Sequence, residues 1–328
     1  MIIPVLLFLL GLVLLIYGGD WFVDGATGIA KRFKIPEILI GATVVSIGTT
    51  LPEVMVSATS ALSGHGEIAY GNAIGSIICN TALIAAITIA IRPSKIDRSA
   101  LKLPVIFFYI AAALYITVAM TTGFFSRTVG FALVALFVIY MGISVYQVLK
   151  APAVPALQES EEVHEEESLE KSSLLKEIIL LALGAALIAW GANLLVDNGT
   201  IIAQKLGVPE AVIALTFVAL GTSLPELVTA ITALVKGHGA MSLGNVIGAN
   251  LFNLVLVSGV STVLSPFSIP SGKEILGVNS SLMLDIPVMA VVMTLLTVPA
   301  LIRGKLSRIQ GIILLAIYAG FCVVQFVL

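Results

Sequence analysis

Residues 11–83 recur at 184–256 without a gap. The offset is constant at 173, so Gly11 falls on Gly184, Asp24 on Asp197, Pro36 on Pro209, Glu53 on Glu226 and Asn80 on Asn253. Within that frame GTTLPE (48–53) pairs with GTSLPE (221–226), GHG (64–66) with GHG (237–239), and GNAIG (71–75) with GNVIG (244–248). Self-similarity of this kind means that one structural unit is used twice. Any fold must therefore set two copies of the unit against each other.

The unit is one that lives in a membrane. Of 328 residues, 59% are hydrophobic and 11% charged, less than half the charged share of about 25% in a soluble domain. Apolar runs near the ~20 residues that span a bilayer recur along the whole chain. They predict helices at roughly 4–32, 37–62, 69–91, 102–120, 126–149, 174–205, 210–236, 242–264, 282–302 and 308–327. Spans of a β-barrel would instead be short and alternating. The expected fold class is thus all-α integral membrane, with ten transmembrane helices. Five spans precede the second copy, and because five is odd the copies enter the bilayer from opposite faces. The chain then reads as two inverted-topology five-helix repeats, 1–149 and 174–328, joined by a linker at 150–173. Inverted repeats are common in secondary transporters, with the substrate site near the midplane where the copies meet. A channel or a membrane enzyme can also arise by duplication.

The first apolar run lacks a basic leader and has a counterpart later in the chain, so it reads as a span and not as a cleaved signal. Of the 17 Lys and Arg residues, fourteen fall in one set of loops and only Arg127, Lys205 and Lys273 in the other. The positive-inside bias predicts a plasma-membrane protein with both termini outside and the 150–173 loop cytoplasmic. That loop carries Glu159, Glu161, Glu162, Glu165, Glu166, Glu167 and Glu170. It reads as a solvated linker, since its spacing matches no calcium loop such as the EF-hand. Cys79 and Cys322 lie in separate apolar segments and read as packing residues.

The chemistry-bearing residues are Glu53 and Glu226. A carboxylate inside a membrane helix is costly and marks a functional site by default; a protonated, purely structural carboxyl is the competing reading. Each follows a proline, and Pro52 and Pro225 cannot donate to the carbonyls of Gly48 and Gly221. The helix is expected to open just before each glutamate and offer free carbonyls, which in lipid need a protein, water or ion partner. Helical spacing aligns Ser46, Thr49, Thr50 and Glu53 on one face, and the second copy supplies Ala219, Thr222, Ser223 and Glu226. The following helices add Asn72, Ser76 and Asn80, against Asn245, Ala249 and Asn253. GNxxG in both permits close backbone approach. Singly, Ser57, Thr59 or Thr232 reads as a bridge between helices. His65 and His238 read as turn residues, and Asp20, Asp24, Asp197 and Asp285 as caps or interfacial groups, with gating open for Asp24 and Asp197. The candidate ligands are all oxygens, with no His or Cys cluster for zinc or copper. Calcium takes six to eight oxygens, and two glutamates match one divalent ion in charge.

GTTLPE with GNAIGSIICN (71–80), and GTSLPE with GNVIGANLFN (244–253), closely resemble the two alpha-repeats of prokaryotic sodium/calcium exchangers in the cation/calcium antiporter superfamily. The resemblance extends over nearly the whole chain. It implies a diamond of four cation sites. Calcium would take Glu53, Glu226 and the carbonyls of Thr49 and Thr222. One sodium site would use the Ser46 carbonyl, Thr50, Glu53 and Ser76. Its mirror would use the Ala219 carbonyl, Ser223 and Glu226, with Asn80 and Asn253 flanking the middle. The first helix of each repeat would slide over the core. Relatives usually place Asp where this chain has Asn253, and often Ser where it has Ala249, which bears on the sodium half of the set.

The expected activity is antiport of calcium against sodium across the cell membrane. Proton-coupled calcium antiport and a passive cation channel are the alternatives. No nucleophile–base pair or cofactor motif suggests an enzyme. The expected partners are calcium, sodium and the lipid bilayer, with protons an alternative, and with no cofactor, nucleic acid or obligate protein partner.

Overall fold

The computed structural model describes residues 2–33, 35–93, 96–150, 174–206, 221–270 and 274–327. The described chain is nearly all helical: α1 (Ile2–Arg32), α2 (Glu37–Leu62), α3 (Gly66–Ile91), α4 (Arg98–Thr121), α5 (Arg127–Lys150), α6 (Leu174–Lys205), α7 (Leu224–Val235), α8 (Gly239–Leu264), α9 (Ser281–Arg303) and α10 (Arg308–Val327). Nine of these are long and apolar enough to cross a membrane, and α7, at 12 residues, is a shorter apolar helix. The expected span over 210–236 is therefore described only in its second half, and the linker at 151–173 lies outside the described residues. Two short antiparallel pairings complete the architecture. β1 (Phe124–Phe125) joins β2 (Phe267–Ser268), and β3 (Glu274–Ile275) joins β4 (Val278–Asn279).

The helices divide by burial. Within their most apolar windows, 83% of α8 and 72% of α3 is buried, against 22% of α1 and 11% of α10. α3 and α8, which carry the two GNxxG motifs, are thus the centre of the bundle. Their buried faces pack with Tyr115 and Phe108 of α4, Tyr140 of α5 and Met289 of α9. The outer helices turn Leu6, Ile16, Val138 and Ile312 outward, an apolar exterior that suits lipid more than water.

Small residues set the closest approaches. α1 and α6 lie antiparallel, since Gly11 faces Gly191 while Gly18 faces Gly184. A Cβ at Gly11 would come within 2.8 Å of the Gly191 carbonyl oxygen, and one at Gly191 equally close to that of Gly11. One end of the pair is fastened by the Arg32 guanidinium, whose Nε donates to Glu177 Oε2 at 3.0 Å and whose Nη2 donates to Oε1 at 3.1 Å. This fork-to-fork geometry is a favourable one for a charged pair. α2 crosses α8 at Gly41, Gly244 and Gly248, where an added Cβ would meet the backbone of Met241, Ile38 and Ala42 respectively. Their backbones touch because nothing larger than hydrogen stands between them.

Among the described residues, four helices contain a π-helical turn: Gly41–Val45 in α2, Asn80–Ala85 in α3, Asn253–Val257 in α8 and Ser281–Asp285 in α9. Asn80 and Asn253, 173 residues apart, each open one. Such turns leave carbonyls off the regular ladder. Ser46 Oγ donates to Gly41 O at 2.7 Å, Tyr140 OH to Ala42 O at 2.9 Å, and Ser258 Oγ to Asn253 O at 3.0 Å.

Candidate cation site

The expected opening of the helix before each glutamate is met in one copy only. In the first, Ser46–Leu62 is a continuous α-helix with Pro52 inside it. Proline costs that helix one hydrogen bond, yet its fixed φ is itself helical, and the irregular turn sits earlier, at Gly41–Val45. In the second copy, Thr222 and Ser223 form a turn and α7 begins at Leu224, with Pro225 and Glu226 in its first turn. There the proline starts the helix, where its missing N–H costs nothing.

Glu53 and Glu226 are both fully buried, as are Ser46, Thr50, Asn80, Asn245 and Asn253, while Thr49 and Ser223 are 2% exposed and Ser76 4%. The α2–α8 crossing brings them together. With Gly248 against Ser46, the Ser46 hydroxyl reaches Asn245 O at 3.0 Å and Thr49 Oγ1 donates to Asn245 Oδ1 at 3.2 Å. Thr50 Oγ1 donates to Glu226 Oε1 at 3.5 Å, so the second glutamate lies against the turn of α2 that presents the first.

The first copy answers with the mirror contact. Thr222 Oγ1 donates to Asn72 Oδ1 at 3.2 Å, and the Asn72 amide donates to Ser57 Oγ at 2.8 Å and to Glu53 O at 3.3 Å. Thr49 maps onto Thr222 and Asn72 onto Asn245 at the same offset of 173. Each copy thus lends a threonine to the other copy's asparagine.

Within this apolar bundle, several polar atoms have no hydrogen-bonding partner among the described residues: both carboxylate oxygens of Glu53, Oε2 of Glu226, the Ser223 hydroxyl, and both amide atoms of Asn80 and Asn253. Neither glutamate has a salt-bridge partner among the described residues. Buried polar groups are ordinarily satisfied, and a cluster of exceptions calls for a ligand. The oxygens among these free atoms are carboxylate, hydroxyl and amide oxygens, a set that suits a hard cation.

Of the residues singled out from the sequence, Thr49, Thr50, Glu53, Thr222 and Glu226 are tied directly into this cluster. Ser76 lies one turn before Asn80, which opens the α3 π-turn. Ala219 lies outside the described residues. Ala249 is buried and brings only a methyl group. Two of the groups expected at turns or ends also make polar contacts, His238 from the turn before α8 and Asp24 from α1. His238 Nδ1 lies 2.7 Å from Glu37 Oε1, and Asp24 Oδ1 lies 2.7 Å from Lys236 Nζ. Tyr140, which holds the α2 π-turn, is absent from the sequence reading. It sits on α5, outside the duplicated stretch, and its one signal is an aromatic hydroxyl in an apolar helix.

Together these features define a multi-span membrane protein with a buried, acidic, oxygen-lined site. The profile of the sodium/calcium exchanger protein family matches residues 3–146 and 176–327, and the chain belongs to that family. It is 35% identical to an uncharacterised membrane protein of Methanocaldococcus jannaschii, over 95% of this chain and 94% of that one. It is 30% identical to the sodium/calcium exchanger MaX1 of Methanosarcina acetivorans, over 98% of both. Among solved structures, the sodium-calcium exchanger NCX_Mj, soaked with sodium and strontium, superposes with a TM-score of 0.78 at 33% identity and 97% coverage of both chains.

Proposed function

We propose that the protein exchanges calcium for sodium across the plasma membrane by alternating access to a midplane site formed by Glu53 and Glu226. The observation that carries this reading is the paired, fully buried carboxylates with oxygens left free, set between two sequence copies that exchange Thr49–Asn245 and Thr222–Asn72 bonds. A divalent ion between them balances two negative charges, and the Thr49 and Thr222 carbonyls complete its shell. Sodium ions share the same carboxylates, one with the Ser46 carbonyl, Thr50 and Ser76, the other with Ser223 and the Ala219 carbonyl; Asn80 and Asn253 flank the centre. Ten spans in two inverted repeats, 1–149 and 174–328 about an acidic cytoplasmic linker at 150–173, put both termini outside. The antiparallel packing of α1 on α6, the first helices of the two copies, supports that topology, and these two slide over the rest to expose the site alternately.

The test is calcium uptake into proteoliposomes under a sodium gradient, then under a pH gradient alone. Uptake should follow sodium. Uptake that ignored sodium and followed pH would establish proton-coupled antiport, and flux with no counter-ion gradient would establish a passive channel. Protons also compete with cations for Glu53 and Glu226. The half-saturating calcium concentration should therefore rise on acidification, approaching about tenfold per pH unit for each carboxylate that must lose a proton to bind. Half-saturation independent of pH down to the onset of unfolding would contradict carboxylate ligation.

A further inference from the structure

We propose that Lys236 is a positioning residue that holds α1 to the end of α7 in only one of the two access states, and so biases the equilibrium between them. This rests on the alternating-access reading above and extends it. Lys236 is the C-cap of α7. Its ammonium lies 2.7 Å from Asp24 Oδ1 and 3.4 Å from Asp20 Oδ1, and donates to Asp20 O at 3.2 Å. One cation thus bridges two acids and a carbonyl of α1. Along the same seam, a Cβ at Gly19 would lie 2.8 Å from Thr232 Oγ1 and 2.8 Å from Val228 Cγ1 of α7. The bridge therefore fastens two helices that already touch.

In a carrier built of inverted repeats, a contact made by one copy in one state is made by its offset partner in the other state. The mirror of the α1–α7 seam lies between α6 and α2. Asp24 maps onto Asp197, Asp20 onto Asn193, and Lys236 onto Ser63, which is likewise a helix C-cap. Serine carries no charge, so the ionic bridge cannot be rebuilt across the mirror seam. The Arg32–Glu177 pair has no such consequence, because it joins α1 to α6, which move as a unit. Lys236 is 26% exposed and Asp24 55%. Solvent screening therefore holds the bias to about two- to fivefold in population.

Apparent affinity at each face scales with the population of the state open to it. The readout is calcium self-exchange in uniformly oriented proteoliposomes, with half-saturation measured separately at each face. Lys236→Ser removes the bridge from one state and Ser63→Lys adds one, facing Asp197, to the other. Both should move the ratio of the two half-saturation values in the same direction, by about two- to fivefold each, and the double variant should move it by their product. A ratio unchanged in Lys236→Ser, or moved the opposite way by Ser63→Lys, overturns the proposal. If the unaltered protein shows no calcium flux, it is the antiport reading that fails. The bridge is then read from spin-label distances between positions 6 and 302, which Lys236→Ser must redistribute; an unchanged distribution overturns it.

Discussion

Replacing either glutamate by glutamine is expected to abolish calcium transport. Glu53→Gln and Glu226→Gln keep shape and volume while removing one of two charges in a fully buried site. Loss of one partner from a desolvated charge arrangement costs about 3–5 kcal/mol, and each 1.4 kcal/mol is tenfold in affinity. The apparent affinity for calcium should fall roughly 100-fold or more in each variant. Folding should survive, because a neutral side chain is easier to bury than a carboxylate. Uptake rates in proteoliposomes, normalised to monodisperse protein, measure the effect. Near-normal calcium uptake by either variant would refute the paired site.

The second large effect is structural. Gly244→Leu should prevent assembly of the bundle, because the added Cβ alone would land on the Ile38 carbonyl oxygen, with Ile38 Cα only 3.0 Å away. Backbone cannot rotate aside as a side chain does. Overpacking a fitted interior costs about 1–3 kcal/mol and occasionally more, and here the collision is with main chain. It lies at the crossing that holds Ser46 and Thr49 against Asn245. Size-exclusion profiles in detergent should show the monodisperse peak lost. Gly320→Ala, on α10, is the matched control, since a Cβ there meets nothing within 4 Å, and its peak should be unchanged. A folded, active Gly244→Leu variant would mean that α2 and α8 do not cross there.

Much of this arrangement was legible in the residues. Composition marked a helical membrane chain, and the predicted ends of the helix over 174–205 are those found. The duplicated GTxLPE and GNxxG segments pointed to the glutamates, threonines and asparagines that cluster. Those signals are local and periodic, which is why sequence carries them. What sequence did not carry depends on partners far along the chain. The Gly41–Val45 π-turn is held by Ser46 and by Tyr140 from α5, so the irregular turn lies there and not at Pro52, whose effect on a helix depends on its position. Pro52 sits within a helix and Pro225 at the start of one. The crossed Thr–Asn bonds likewise needed the fold, since periodicity gives a face but not what meets it. The pairing of Lys236 with Asp24 was hidden for the same reason, as the end of one helix meets the body of another only in three dimensions.

The paired-carboxylate claim is tested most directly by counting calcium. Equilibrium binding of radioactive calcium to purified protein in sodium-free detergent solution should give one high-affinity ion per chain, lost on substituting either Glu53→Gln or Glu226→Gln. Two independent ions per chain, with each single variant retaining one at full affinity, would show that the two glutamates belong to separate sites and would contradict the account.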